Sequence, residues 1–588
     1  MFKSQKTSRY SLSFFELLFL VWAGLSLLSV ALVILGIFYP GIILLYLVSA
    51  FLLIHLLIKS KKLSIKKISL TERLLLIGLI LWLGLISYFT TPTIFEGRDE
   101  GSLATSALMI NQDHGLFHSG KTIDTFATIY GPGRALNFPG FFYEKINSNF
   151  VLKSQFLPGY TGYLANFAFP SKINLLKLAN LFPLLIFALA FYFIVKQLTR
   201  SIKFSLFATL GLVTILPVLL FYKFTLSEIF FASLIWPSLY FLIKYLQGKQ
   251  SLFNFYLIFI PLLPTVFVRI ESFGIIFVLI LILIARSHQQ LQLPKFQAII
   301  LLIILLGAIS ITLFSDFFIL AGKGFFNHFS TDVNQKTTTQ KLNLIPKMWQ
   351  NFYILKVFYI YNLLPLFVFA FLSLKKLFQE KKWLLLTPLF FLGITLIYFL
   401  DANISLDHPW LLRRFTFSII PLSILYTIFF FQRYPLRQKQ IGQIILIVIL
   451  TSNFLLSLPF LTFKQNNNLL SQTAILAEQF QNNDLILVSQ KSSGSGWSLI
   501  SAPLRTIFHK QAVYFFNPAD YEKINKEDYD KIYLLSSKEE LSHYENKLTF
   551  LDKKPYSLST EIIFPSKNPW QLPKFQKMKT DGYILRLK

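Results

Sequence analysis

Residues 70–108 read LTERLLLIGLILWLGLISYFTTPTIFEGRDEGSLATSAL. Residues 70–90 are almost wholly apolar, long enough to cross a hydrocarbon layer of ~30 Å at 1.5 Å per helical residue. The chain then emerges into Glu96, Arg98, Asp99 and Glu100. The residues after Glu100 have helix-forming character, with Leu103, Ala107, Met109 and Ile110 giving an apolar side. Asp99 and Glu100 would stand near that helix's N-terminus, which favours anionic groups. A carboxylate at a membrane–water boundary can act as a general base toward a hydroxyl. It can equally be a plain helix cap, and the residues alone leave both open.

Composition explains why the span comes first. The chain has 588 residues, 54% hydrophobic and only 14% charged, and 65 of them are Phe. Its mean hydropathy is +0.57. Soluble domains carry about 25% charged residues, and a single soluble core stops growing near ~250–300 residues. These values exclude an ordinary soluble enzyme and a disordered chain. The absence of cysteine excludes disulfides, thiolate metal sites and cysteine nucleophiles.

About thirteen runs suffice to span, taking ~20 apolar residues as the requirement: 13–37, 42–59, 70–90, 175–196, 204–222, 228–247, 252–268, 272–286, 297–320, 352–373, 384–400, 415–432 and 441–462. The expected fold is therefore an α-helical polytopic membrane protein. Lys3, Lys6 and Arg9 precede the first run, which places the N-terminus in the cytoplasm by the positive-inside rule. Every second connection is then basic, from Lys59–Lys67 through Lys196–Lys203 and Lys375–Lys382 to Arg433–Lys439. Of the acids before residue 463, only Glu16, Glu72 and Glu380 fall on the cytoplasmic side. Those assigned outside include Asp113, Asp124, Glu144, Asp316, Asp332 and Asp401. The net charge of +28 is thus mostly a topology signal, and nucleic acid is not an expected partner.

Two regions follow: a transmembrane part, 1–462, with a large first outer loop at 91–174 and a second at 321–351, and a soluble extracytoplasmic α/β domain, 463–588. The latter has 17 basic and 13 acidic residues, an ordinary balance. Asp484–Ser489, Ala512–Phe516 and Lys531–Leu535 read as strands and Leu469–Gln481 as a helix. Gly494-Ser-Gly496 lacks the third glycine of a dinucleotide site.

Three further constellations carry chemistry. Asp407-His408-Pro-Trp-Leu-Leu-Arg413-Arg414 brings two arginines into a span from its outer side. They suit phosphate, through forked hydrogen bonds, or a salt bridge to Asp401 or Asp407, or lipid headgroups. Glu228 and the pair Arg269–Glu271 lie at outer helix ends, where charge is expensive unless paired; they read as functional or as pairing with each other. Tyr130-Gly-Pro-Gly-Arg134, Asn137-Phe-Pro-Gly140 and Gln155–Tyr160 alternate turns with aromatics, as a segment lying on the bilayer interface would.

Taken together, this arrangement resembles the GT-C glycosyltransferases, the polytopic enzymes that include protein O-mannosyltransferases and lipid A aminoarabinose transferases. The likeness rests on Asp99-Glu100 opening the first outer loop, on Arg413–Arg414 at an outer helix end, and on the soluble C-terminal domain. More narrowly, Asp-His-Pro-Trp-Leu-Leu-Arg-Arg-Phe and Gly496-Trp-Ser are similar to bacterial members. The resemblance implies a plasma-membrane enzyme that inverts the anomeric carbon while moving a sugar from a polyprenyl-phosphate donor to a hydroxyl of a glycan, lipid or protein acceptor. It implies Asp99 as base with Glu100 beside it. Arg413 and Arg414 would bind phosphate, with Arg98 and Arg269 as further phosphate contacts and Glu228, Glu271 and His408 as further substrate-site residues. No cofactor is implied for certain; some relatives need a divalent metal and others do not. Two departures are plain: two runs precede the one that feeds the first loop, and Ser102 stands where aminoarabinose transferases have an arginine. A transporter or flippase of lipid-linked glycans is the alternative, although no internal repeat marks one. A non-catalytic scaffold is the third reading.

Overall fold

The computed structural model describes residues 10–248, 252–290, 344–402, 404–433 and 439–588. The expected span 297–320 and residues 321–343 of the second loop lie outside the described residues, with Asp316 and Asp332. Among the described residues, six helices are long and apolar enough to cross a membrane: α1 (Phe14–Ile34), α2 (Pro40–Lys59), α3 (Leu70–Tyr88), and the helices Pro170–Thr199, Ser227–Gln247 and Gln440–Thr462. The number is up to nine if each of three bent pairs counts as one span. About thirteen runs are expected, one of them outside the described residues, and several others are bent or short for local reasons. Ile202–Thr214 and Leu216–Tyr222 meet at 56°, where Pro217 removes a backbone donor. Phe352–Ile360 and Leu364–Gln379 meet at 116° about Asn362, whose φ is +54°. Runs 252–268 and 384–400 begin as α-helix and finish as 3-10 turns, Leu263–Phe267 and Gly393–Phe399.

Burial separates the bundle's centre from its lipid face. Ser227–Gln247 packs against Leu181–Thr199 and Leu252–Leu262 and is buried almost throughout. On α2, by contrast, Leu44, Leu45, Phe51, Leu52 and Leu53 are exposed, a surface that only a hydrocarbon solvent tolerates. Both α1 and α3 start at capping boxes, Ser13 with Glu16 and Ser69 with Glu72, which satisfy helix-end amides. The same acids also make ion pairs. Glu16 pairs with Lys244, Glu72 with Lys196 at 2.8 Å, and Glu380 with Arg433 at 3.8 Å. Each pair joins residues that the charge pattern assigns to one side of the membrane.

Near the N-terminus, β1 (Tyr10–Ser13) pairs in parallel with β2 (Leu63–Lys66). The first loop is built rather than draped. It holds α4 (Asp99–Asp113) and a four-stranded sheet of β3 (Phe117–His118), β4 (Gly133–Arg134), β5 (Phe141–Ile146) and β6 (Asn149–Ser154), in the order β3-β6-β5-β4. The C-terminal region adds helix Leu469–Ala477 and a mixed sheet. Its strands are β7 (Leu485–Val488), β8 (Gln511–Tyr514), β9 (Ile532–Ser537), β10 (Phe550–Phe564) and β11 (Lys574–Leu587), ordered β10-β11-β9-β7-β8. β7 runs parallel to β8 and β9, while β10 and β11 form a long hairpin.

The first loop and the C-terminal region share one core. Phe126, Phe138, Phe141 and Tyr143 of the first loop are buried in the same cluster as Leu485, Val513, Leu534 and Tyr544. Polar seams join them as well: Tyr130 donates to Asp520, and Asn137 Nδ2 donates to the Tyr514 carbonyl at 2.8 Å. The expectation of an aromatic segment lying on the bilayer is therefore corrected for these residues. Their rings are spent on a protein core against the C-terminal sheet.

Candidate functional site

The stretch Phe95–Glu100 is the seam between the membrane helices and the C-terminal region. Glu96 is fully buried, and Arg505 Nη2 donates to it at 3.0 Å. Its carbonyl accepts from Leu499 N at 2.8 Å. Burial raises the Glu96 carboxyl above its usual range against the pull of Arg505. Gly97 has φ +117°, and a Cβ there would stand 2.6 Å from the Gly496 carbonyl oxygen. Only glycine allows both that conformation and that approach. Arg98 follows, with its guanidinium 4.6 Å from the Trp410 ring centroid and 4.4 Å from that of Trp497. Its Nη2 donates to Asp407 Oδ2 at 3.0 Å.

Asp99 and Glu100 open α4, as the helix-start reading expects. Their environments differ. Asp99 is 42% exposed at its side chain and accepts from Arg413 Nη1 at 2.7 Å. Glu100 is buried at 4% exposure and, among the described residues, its carboxylate has no ion-pair partner within 4 Å. Burial pushes its pKa up to about 7, with Arg98 pulling it down in part.

Arg413 is the hinge of the charge arrangement. Its Nε donates to Glu228 at 2.8 Å while its Nη1 holds Asp99. Glu228, at 0% exposure, also accepts from Arg269 Nη1 at 2.7 Å. Arg269 Nη2 reaches Glu271 at 2.6 Å, Tyr398 donates to the same carboxylate, and Arg414 Nη1 lies 3.7 Å from it. The sequence candidates Asp99, Arg413, Glu228, Arg269, Glu271 and Arg414 thus form one continuous chain of contacts. Glu228 and Arg269 pair with each other, as their simplest reading holds, and Arg413 joins them to the Asp-Glu motif. Asp407 is engaged by Arg98 and not by Arg413.

His408 is brought near but turned away. Its Nε2 lies 2.9 Å from the Asn568 carbonyl and its Nδ1 3.0 Å from Tyr361 Oη. Its backbone exchanges two hydrogen bonds with Ser566, both at 2.9 Å. His408 therefore pins the β10–β11 connection to the membrane part.

A cavity of about 660 Å³ opens where these parts meet. Arg98, Asp99, Glu100, Asp407, Trp410 and Arg413 line it from the membrane part and first loop. Trp497, Phe564, Pro565 and Lys567 line it from the C-terminal region. That volume suits a small organic ligand or a sugar phosphate. Sequence reasoning missed the C-terminal wall; its only signal was a tryptophan beside two glycines, at Gly494-Ser-Gly-Trp497.

A divalent cation needs several oxygen ligands converging on one point. Among the described residues no group of three or more His, Asp or Glu side chains is so placed. Asp99 already faces a guanidinium. The described residues thus hold no preformed protein cage for a metal. No protein-family model matches this chain, and no curated protein matches it.

Proposed function

We propose that the chain is a GT-C-like membrane glycosyltransferase. It moves a sugar from a polyprenyl-phosphate donor to an acceptor hydroxyl at the extracytoplasmic face of the plasma membrane, with its N-terminus in the cytoplasm. One observation carries the reading: an exposed carboxylate, Asp99, is held 2.7 Å from Arg413 in a cavity of about 660 Å³ that membrane helices and soluble region enclose together. A lipid-borne phosphate can reach such a place from the bilayer while a polar acceptor reaches it from water.

The reaction balances on these groups. The acceptor oxygen attacks the anomeric carbon and its proton passes to the Asp99 carboxylate. The bond from that carbon to the phosphate oxygen breaks opposite the attack, so configuration inverts and the phosphate keeps the electron pair. Arg413 stabilises the departing charge. Its Nη2 makes no hydrogen bond among the described residues, so it can donate to the phosphate without releasing Glu228. Arg269 and Arg414 act behind it, neutralising Glu228 and Glu271.

The test uses membranes with and without the protein, supplied with radiolabelled polyprenyl-phosphate glucose, mannose and galactose. Label should leave at least one donor for a non-prenyl product. Asp99→Asn should lower that transfer at least about 100-fold, the scale of a lost general base, while the protein still inserts and melts normally. Full transfer by the Asn variant refutes the assignment of Asp99. Site accessibility from both membrane faces, with no transfer, would favour transport.

A further inference from the structure

Trp497 belongs to the C-terminal region, yet it lines the cavity over Arg98 and Asp99. Its position is fixed from several sides. Its backbone N–H donates to Ser495 Oγ at 3.2 Å, Gly97 packs on its Cα, and neighbouring Leu499 bridges to Glu96. One side of the indole is covered by the Arg98 guanidinium. Trp497 nevertheless keeps 48% of its surface exposed. A large aromatic side chain held rigid and left half bare has the character of an aromatic binding anchor before its partner arrives.

The surroundings narrow the partner. Asp407, only 7% exposed, also lines the cavity, and its Oδ1 is buried with no hydrogen-bond partner while Oδ2 accepts from Arg98. An unsatisfied buried acceptor is costly, and a ligand hydroxyl can relieve it. Lys567 lines the same wall from the β10–β11 connection and has no ion-pair partner among the described residues. The wall therefore combines a flat apolar ring with an unmet acceptor and an uncommitted donor. At this wall a phosphate would face the Asp407 carboxylate, and an acyl chain would leave the polar groups unmet. A pyranose ring matches all three, with a C–H face for the indole and hydroxyls around its rim.

We propose that the C-terminal half of the cavity is a pyranose-binding subsite, with Trp497 as the stacking platform and Asp407 and Lys567 as hydroxyl contacts. Resting on the transferase reading, it names the acceptor as a glycan, received from the soluble side opposite the phosphate at Arg413. Sugar binding itself can be measured without any transfer.

The probes are the methyl α- and β-pyranosides of glucose, mannose, galactose and N-acetylglucosamine. They are titrated against the full-length protein in phosphatidylcholine nanodiscs by saturation-transfer NMR. At least one should bind the wild type, and Trp497→Ala should weaken it at least tenfold. Trp497→Phe should hold it within about threefold, and Trp497→Leu, which keeps apolar bulk without a ring, should behave as the alanine variant does. Binding by none of the probes, or equal binding by the Leu and wild-type proteins, overturns the subsite. If no polyprenyl-phosphate donor is consumed but ring-dependent binding persists, the transferase reading fails and the subsite stands.

Discussion

Glu100 offers the sharpest physical test, because burial is the main influence on its carboxyl. In the fold its carboxyl holds a proton up to about 7, against an ordinary value of 4.5. The unfolded chain releases that proton at the ordinary value. Below 4.5 both states are protonated and Glu100 costs nothing. Between 4.5 and about 7 the folded state binds more protons than the unfolded state, so stability falls as pH rises. Above about 7 both are ionised and the loss is complete. At 1.36 kcal/mol for each pH unit, the loss sums to about 3 kcal/mol. Glu100→Gln removes the titration while keeping size and polarity. SDS-driven unfolding in mixed micelles, run from pH 4.5 to 8.5 on both proteins, reads the difference. Relative to wild type, the Gln variant should gain about 3 kcal/mol across that range, most of it between pH 5 and 7. Subtracting the two curves removes the shared contribution of the histidines. Parallel curves would refute the burial argument and would mean that water or an unrecognised cation reaches Glu100.

The seam around Glu96 yields two further expectations. Arg505→Met leaves the fully buried Glu96 facing no cation, which should cost about 3–5 kcal/mol; adding Glu96→Gln should restore most of it, and a double-mutant cycle on thermal unfolding measures the coupling. Gly97→Ala meets both the positive φ and the Gly496 carbonyl, so it should cost at least about 1–3 kcal/mol and open the C-terminal region to trypsin; an unchanged melting temperature and cleavage pattern would contradict the close packing.

The membrane helices were legible because lipid as solvent writes itself into composition: α1, α2 and α3 are apolar around their whole circumference and need no partner to be recognised. β7, β8 and β9 were legible for a related reason, being short runs such as Leu485–Val488 that are buried on both faces. The β10–β11 hairpin was not. Its first strand carries Asp552, Lys553, Lys554 and Pro555 on largely exposed positions, and such a pattern reads as loop until a pairing partner is known. Bends within the apolar runs were hidden by the same locality. An apolar run looks continuous whether or not it bends at Asn362 or breaks before Pro217. Candidate residues could be picked one by one, since charge at a helix end is rare enough to notice. Their company could not be: Arg413 and Asp99 are 314 residues apart, and only the packed bundle makes them neighbours.

That neighbourhood bears on the order of events in the proposed reaction. Arg413 divides its guanidinium between a buried acid, Glu228, and a cavity acid, Asp99. Glu228 has no route to water and stays bound. Asp99 is 42% exposed and is the partner that can be exchanged. While Arg413 donates to it, one carboxylate oxygen of Asp99 is occupied and its charge is countered. A donor phosphate entering the cavity brings negative charge to the same guanidinium and competes for it. As the phosphate takes Arg413, Asp99 loses its counter-ion and that oxygen is freed to accept the acceptor's proton. The base is thereby released by the arrival of the leaving group that it must act with, and water alone, carrying no charge, does not release it. An arginine paired with the base, an odd choice if Asp99 acted alone, is what couples donor binding to proton removal.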